Sequence, residues 1–226
     1  MKRLVYLFIL SASLLFASCK DKKTESSSTL FELKENTGIV FNNEVVDGSL
    51  ENSFLFRNFY NGGGVALGDV NNDGLPDVFL TSNAGANKLY LNKGDFKFDD
   101  ISDKAGIIHD NMWSTGVVFA DINGDGWLDI YVCSSGHMGT GIRRNKLYIN
   151  NRNLSFTESA EKFGLDISAY TTQVSFFDYD LDGDLDCFMI NNSPIPINQL
   201  NFANRRDLPD SAWAIANFLK GQSLCW

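Results

Sequence analysis

The chain has 226 residues, with 28 acidic side chains against 19 basic ones and a formal net charge of −9. That length holds one sizeable domain with a core of its own. The acidic balance argues against a nucleic-acid or anionic-lipid partner and fits a chain that gathers cations.

Lys2 and Arg3 precede an apolar run at residues 4–16, and small residues follow it. The run is shorter than the roughly 20 residues that a membrane-spanning helix needs. Residues 1–18 therefore read as a secretory signal. Phe16-Ala17-Ser18-Cys19 resembles the lipobox of bacterial lipoproteins, with phenylalanine where leucine is more usual. The resemblance implies that Cys19 is lipidated and becomes the mature N-terminus. Residues 19–30 then form a polar tether, since "KDKKTESSST" offers nothing to bury. Without Lys2 and Arg3, 17 basic residues face 28 acidic ones, a net charge of −11.

The rest of the chain repeats itself. "GDVNNDGLPDVFLTSN", "ADINGDGWLDIYVCSS" and "FDYDLDGDLDCFMINN" share a frame whose first aspartates, Asp69, Asp121 and Asp178, are 52 and 57 residues apart. A second block recurs in the same order, "NKLYLNKGDFKFDDISDKAGI" from Asn87 and "NKLYINNRNLSFTESAEKFGL" from Asn145. Its longer separation of 58 residues comes from an insertion in one loop, "GHMGTGIRR". Each unit reads as four short strands: in the first, "GVALGDV", "DVFLTS", "NKLYLN" and "FKFDDIS", separated by Asn- and Gly-rich turns. Helical periodicity is absent until "DSAWAIANFLKG" near the end. Four strands in about 50 residues is the size of a β-propeller blade. The expected fold is all-β, with two complete four-stranded blades and a partial third that do not close a ring. A β-sandwich would not require loop and "NKLY" block to recur in the same order.

The three loops share Asp-x-(Asn/Asp)-x-Asp-Gly-x-x-Asp. They place Asp69, Asn71, Asp73 and Asp77 in the first, Asp121, Asn123, Asp125 and Asp129 in the second, and Asp178, Asp180, Asp182 and Asp186 in the third. A hard cation such as Ca²⁺ takes six to eight oxygen ligands at about 2.3–2.6 Å. Glycine at position 6 (Gly74, Gly126, Gly183) lets the backbone curl until side chains at positions 1, 3 and 5 converge. The carbonyl at position 7 (Leu75, Trp127, Asp184) can then face the ion, and position 9 closes the site. An EF-hand would need glutamate at position 12, where this chain has Leu80, Val132 and Met189. One copy alone reads equally well as an ion-free Asx-rich turn. Ten carboxylates at positions 1, 3, 5 and 9 of three small loops would repel one another without a cation, and turn chemistry asks for no acid at position 9. Three Ca²⁺ sites are the expectation. Mg²⁺ fits less well, because it keeps more water.

"YNGGGVALGDVNNDGLPD", "WSTGVVFADINGDGWLDIYVCSSG" and "FFDYDLDGDLD" resemble the FG-GAP/VCBS repeats of integrin-α-type propellers. More closely, they resemble the VCBS-repeat lipoproteins of Bacteroidetes, which are similar to cartilage acidic protein. The resemblance runs over residues 31–221 and leaves 222–226 as an atypical tail. It implies the N-terminal portion of a calcium-binding propeller, exported and displayed at the outer membrane. The Gly-Ala-Pro element of FG-GAP is absent, and members of the family are several times longer. No third "NKLY" block arrives, so the chain reads as a truncated product or a fragment of a longer propeller protein.

The functional expectation is a non-catalytic binding, scaffold or adhesion module for an extracellular protein or glycan, touching the membrane only through its lipid anchor. Part of an extracellular polysaccharide-acting enzyme, and a non-functional remnant, are the alternatives. His109 and His137 fall in unrelated loops, and G-x-S-x-G, H-E-x-x-H and phosphate-loop motifs are absent. "NGGGV" lacks the lysine of a phosphate loop and reads as a tight connection into a strand. Trp113, Arg143 and Arg144 are the candidate partner contacts, because Trp and Arg are favoured at interfaces. Packing of Trp113 between blades is the competing reading. Cys133 and Cys187 read as small buried hydrophobes, and no C-x-x-C spacing signals zinc or redox chemistry.

Overall fold

The computed structural model describes residues 30–49, 52–54, 59–108, 112–135 and 144–192. The signal segment, Cys19, residues 20–29, His109, His137, Arg143, the segment "DSAWAIANFLKG", Cys225 and the tail 222–226 lie outside the described residues. The chain divides into residues 1–35 and residues 36–226. In the first unit the described residues, 30–35, are exposed, and Lys34 pairs with Glu32 at 2.8 Å.

The second unit carries the repeats. β1 (Val65–Gly68), β2 (Asp77–Leu80), β3 (Lys88–Asn92) and β4 (Phe98–Asp100) form an antiparallel sheet in chain order. A single helical turn, α1 (Ser102–Ala105), follows and ends on Gly106 at φ 78°. β5 (Ser114–Ala120), β6 (Asp129–Ser134), β7 (Lys146–Asn150) and β8 (Phe156–Glu158) repeat the four-stranded sheet. β9 (Thr171–Phe177) and β10 (Asp186–Asn191) form a third, two-stranded sheet. The architecture is all-β, and among the described residues the three sheets do not close a ring. Each acidic loop joins the first two strands of its sheet, closed at the same register: Gly68 opposite Asp77, Ala120 opposite Asp129, Phe177 opposite Asp186.

Side-chain alternation explains how the sheets stack, because successive residues of a strand point to opposite faces. Val117, Ile130 and Val132 of the second sheet join Ala66, Phe79 and Leu89 of the first in one apolar cluster. The intervening Tyr131 and Cys133 join Val174 of the third sheet in another, with Phe176, Cys187 and Met189 packed against it. Phe79 meets Phe119 edge-on at 6.5 Å, and Tyr131 meets Phe176 in the same way at 5.5 Å. These are equivalent residues, so the two stacking contacts are copies of one another.

Close backbone approach accompanies the stacking. A Cβ on Gly64 would sit 2.6 Å from the Thr115 carbonyl oxygen, and one on Gly116 would sit 2.5 Å from that of Thr172. Both glycines lie five residues before their loop's first aspartate. The "NGGGV" segment therefore does more than turn the chain, since it lets first strands of neighbouring sheets touch. Cys133 and Cys187 are free thiols, Cys133 fully buried and Cys187 half-buried, and burial pushes both well above the ordinary thiol range.

Candidate metal centre

Each loop is curled by its own side chains. In the first, Asp69 accepts hydrogen bonds from the Asp73 and Gly74 N–H groups at 3.1 and 2.7 Å. In the second, Asp121 accepts from Asp125 and Gly126 at 2.9 and 2.8 Å. In the third, Asp178 accepts from Gly183 at 3.1 Å. Position 5 adds one more bond in every copy, accepting from the N–H of position 7: Leu75 to Asp73, Trp127 to Asp125 and Asp184 to Asp182, at 2.9, 3.0 and 3.0 Å. The position-6 glycines sit at φ 85°, 84° and 98°, as the curl requires. Position 4 is also left-handed, at Asn72, Gly124 and Leu181, which the sequence pattern did not announce.

Position 9 has a second occupation. Asp77 and Asp129 are fully buried. Asp77 accepts from the Val70 N–H at 3.0 Å and from the Asn92 N–H at 2.8 Å. Asp129 accepts from Ile122 and Asn150 at the same two distances, and Asp186 accepts from Tyr179 at 2.8 Å. An acid at this position therefore has a structural reason apart from any ion, contrary to the expectation from turn chemistry. It ties the start of the loop to the end of the third strand. Desolvation pushes Asp129 up to about 6, against the lowering effect of its two backbone donors, and Asp125 and Asp121 add repulsion. Asp77 is raised for the same reasons, with Asp73 and Asp69 as the like charges.

The three loops differ in how their acids are answered. Asp125 pairs with Arg152 at 2.9 Å, and that guanidinium holds its carboxyl below the usual range. Gly94 occupies the equivalent place in the first unit, where Asn71 instead donates to Asp73 at 2.9 Å. The first two loops also touch, Asn72 donating to the Gly126 carbonyl at 3.2 Å. In the third loop, carboxylate oxygens of Asp178, Asp180 and Asp186 lie within 4.8 Å of one another. Oδ1 of Asp178 is buried there without a hydrogen-bond partner. Desolvation raises Asp180 above the ordinary carboxylate range, and the charges of Asp182, Asp186 and Asp178 raise it further. A buried carboxylate oxygen without a donor is costly, and a divalent cation at this point would satisfy it. The donor set, hard oxygens from short side chains, fits calcium.

The candidate partner contacts separate. Trp113 is only 4% exposed and stacks on Phe59 at 5.3 Å, with Val45 and Tyr170 beside it. It serves the interior, which corrects its reading as a contact residue, because a buried indole gains more from packing than solvent would give it. Arg144 is exposed and paired with Asp166. The first residue of each "NKLY" block carries a role that the sequence alone did not signal. Asn87 accepts from the Ser82 N–H at 2.9 Å and donates to Ser114 of the next sheet at 3.0 Å. Asn145 repeats both bonds with Ser134 and Thr171, at 2.8 and 3.1 Å. Recurrence of the asparagine was visible; its bridging bond depends on a residue of the following unit.

Parts of the chain are similar in sequence to known proteins. Cartilage acidic protein 1 of Xenopus tropicalis is 34% identical over 140 residues, which cover 61% of this chain and 21% of that protein. The human protein of the same name is 38% identical over 72 residues, covering 31% of this chain and 11% of its own length. The chain thus spans a minor part of the relatives it matches. Residues 69–132, from the first acidic loop through the second and into β6, match the family model described as an FG-GAP-like repeat.

Proposed function

We propose that the chain is a calcium-stabilised, non-catalytic binding module, lipid-anchored through Cys19 at the outer membrane and presenting its loops to an extracellular protein or glycan. The observation that carries calcium is the third loop, where the buried, donorless Oδ1 of Asp178 lies in one group with Asp180 and Asp186. The same ligand frame in the first two loops extends the reading to three sites. FG-GAP-like repeats point to binding rather than catalysis, and similarity to the cartilage acidic proteins runs the same way. The expected affinity is that of extracellular calcium modules, about 10⁻⁴–10⁻³ M.

Calorimetric titration of the full chain with calcium tests this. Three saturable equivalents are expected, reduced to two by Asp178→Ala. Terbium, which occupies calcium sites, should show emission sensitised by Trp127, and Asp121→Ala should abolish it. Absence of binding at millimolar calcium would overturn the metal assignment. The anchor has its own check: Cys19→Ser should move the protein from the membrane fraction to the soluble one, and retention at the membrane would refute lipidation there.

A further inference from the structure

In both four-stranded sheets the turn between the third and fourth strands lies against the acidic loop of the same sheet. In the second unit that turn is "NNRN", and Arg152 takes its left-handed position at φ 63°. The Arg152 N–H donates to Asn150 Oδ1 at 2.8 Å. Asn150 is tied to the loop in turn, its amide donating to the Leu128 carbonyl at 3.0 Å and its backbone N–H to Asp129 at 2.8 Å. The turn is therefore fixed to positions 8 and 9 of the loop. From there the arginine side chain reaches position 5, with Nη2 at 2.9 Å from Asp125 Oδ2. The first unit builds the same turn with no side chain: Gly94, at φ 84°, donates to Asn92 Oδ1 at 2.9 Å. Glycine suits a left-handed residue and arginine does not. The backbone thus gives no reason for Arg152, and what it adds is a cation over the loop.

Both carboxylate oxygens of Asp125 are engaged, Oδ1 accepting from the Trp127 N–H at 3.0 Å and Oδ2 facing Arg152. The first loop instead has a neutral amide at this place, Asn71 donating to Asp73 at 2.9 Å. The third sets three carboxylates within 4.8 Å of one another. Among the described residues, the second loop is the one that pairs with a guanidinium. Resting on the reading of these loops as calcium sites, we infer that Arg152 is a built-in competitor of calcium at the second. Its guanidinium holds the position-5 carboxylate in the metal-free loop and must leave before calcium can take Asp125 as a ligand. The Arg152 side chain is 55% exposed, so leaving requires rotation into solvent and no repacking. An exposed ion pair is weak, so the competition shifts affinity without blocking the site. A positive charge beside a dication opposes its entry. As calcium rises the second loop fills last, and at low calcium its acids are still partly neutralised.

Terbium titration of the full chain, read by emission sensitised through Trp127, reports on this loop, and Asp121→Ala supplies the blank. Arg152→Gln removes the charge but keeps a side chain at the left-handed position. It should lower the terbium midpoint by about five- to tenfold. Arg152→Lys keeps the charge and should stay near the wild type. In an Asp121→Ala background, Arg152→Gln should leave calorimetric calcium binding at the remaining sites unchanged. Thermal melting gives a second readout. Arg152→Gln should be less stable than the wild type in EGTA, and calcium should raise its midpoint by the larger amount. Equal terbium midpoints for wild type and Arg152→Gln overturn the inference and leave the calcium sites standing. So does equal tightening by Arg152→Lys, or weaker binding by Arg152→Gln. Sensitised emission from none of the proteins, Arg152→Gln included, overturns the calcium reading of this loop and the inference with it.

Discussion

Replacing Asp129 with alanine is expected to lower the stability of the repeat unit by about 1–3 kcal/mol: two hydrogen bonds to a charged acceptor are lost at about 1.5–3 kcal/mol each, offset in part by relief of the burial cost that pushes this carboxyl up to about 6. The carboxylate is fully buried and takes N–H groups from both Ile122 and Asn150. Alanine leaves both donors without a partner in a place that water does not reach. Asparagine keeps one acceptor oxygen and should cost about half as much. Asp186→Ala should cost less than Asp129→Ala, since Asp186 is half-buried and takes only the Tyr179 N–H among the described residues. Urea unfolding followed by tryptophan fluorescence, in chelator so that no cation contributes, gives the comparison as a shift in midpoint at constant slope. A loss below about 1 kcal/mol for Asp129→Ala would mean that the burial penalty of the charge cancels its two bonds. The structural role given to position 9 would then be wrong.

Chelation of calcium should lower the melting temperature by about 8–16 °C. At free calcium ten times the dissociation constant, each site contributes roughly 1.4 kcal/mol. The three proposed sites would together contribute about 4 kcal/mol, and for a domain of this size each kcal/mol moves the midpoint by about 2–4 °C. The direction has a physical cause in the loops themselves. Removing the ion leaves Asp178, Asp180 and Asp186 facing one another across 4.8 Å or less, and leaves Asp178 Oδ1 with no partner. Magnesium at the same concentration should restore little of the loss, because it holds its water more firmly. Differential scanning calorimetry with and without EGTA reads the shift, and an unchanged melting temperature would remove calcium from the account.

These experiments separate two roles that the sequence ran together. The nine-residue pattern marks a curled loop, and positions 1, 5 and 6 hold that curl in the structure. Their bonds span five residues or fewer: Gly126 to Asp121, Asp125 to Asp121, Trp127 to Asp125. Position 9 was read as a ligand alone, since its partner Asn150 lies 21 residues away on a strand whose register the pattern does not contain. Trp113 was open to two readings for the same reason. Its ring partner Phe59 lies 54 residues earlier, and nothing in "NMWSTG" says that the two meet. The single turn α1 leaves no signature in the sequence, because four residues cannot display a helical period.

The sequence by itself determined the repeat, the four short strands of each complete unit and the acidic turn between the first two. Each is settled by contacts inside one hairpin or by alternation along one strand. Only the tertiary structure decided which face of each sheet is covered, and therefore what Asn87, Asn145, Tyr131 and Phe188 do. Tyr131 and Phe188 occupy equivalent places ten residues after an aspartate, yet one is wholly buried and the other 60% exposed. The difference lies in whether another sheet stands beyond them, and burial belongs to neighbours that no local pattern names.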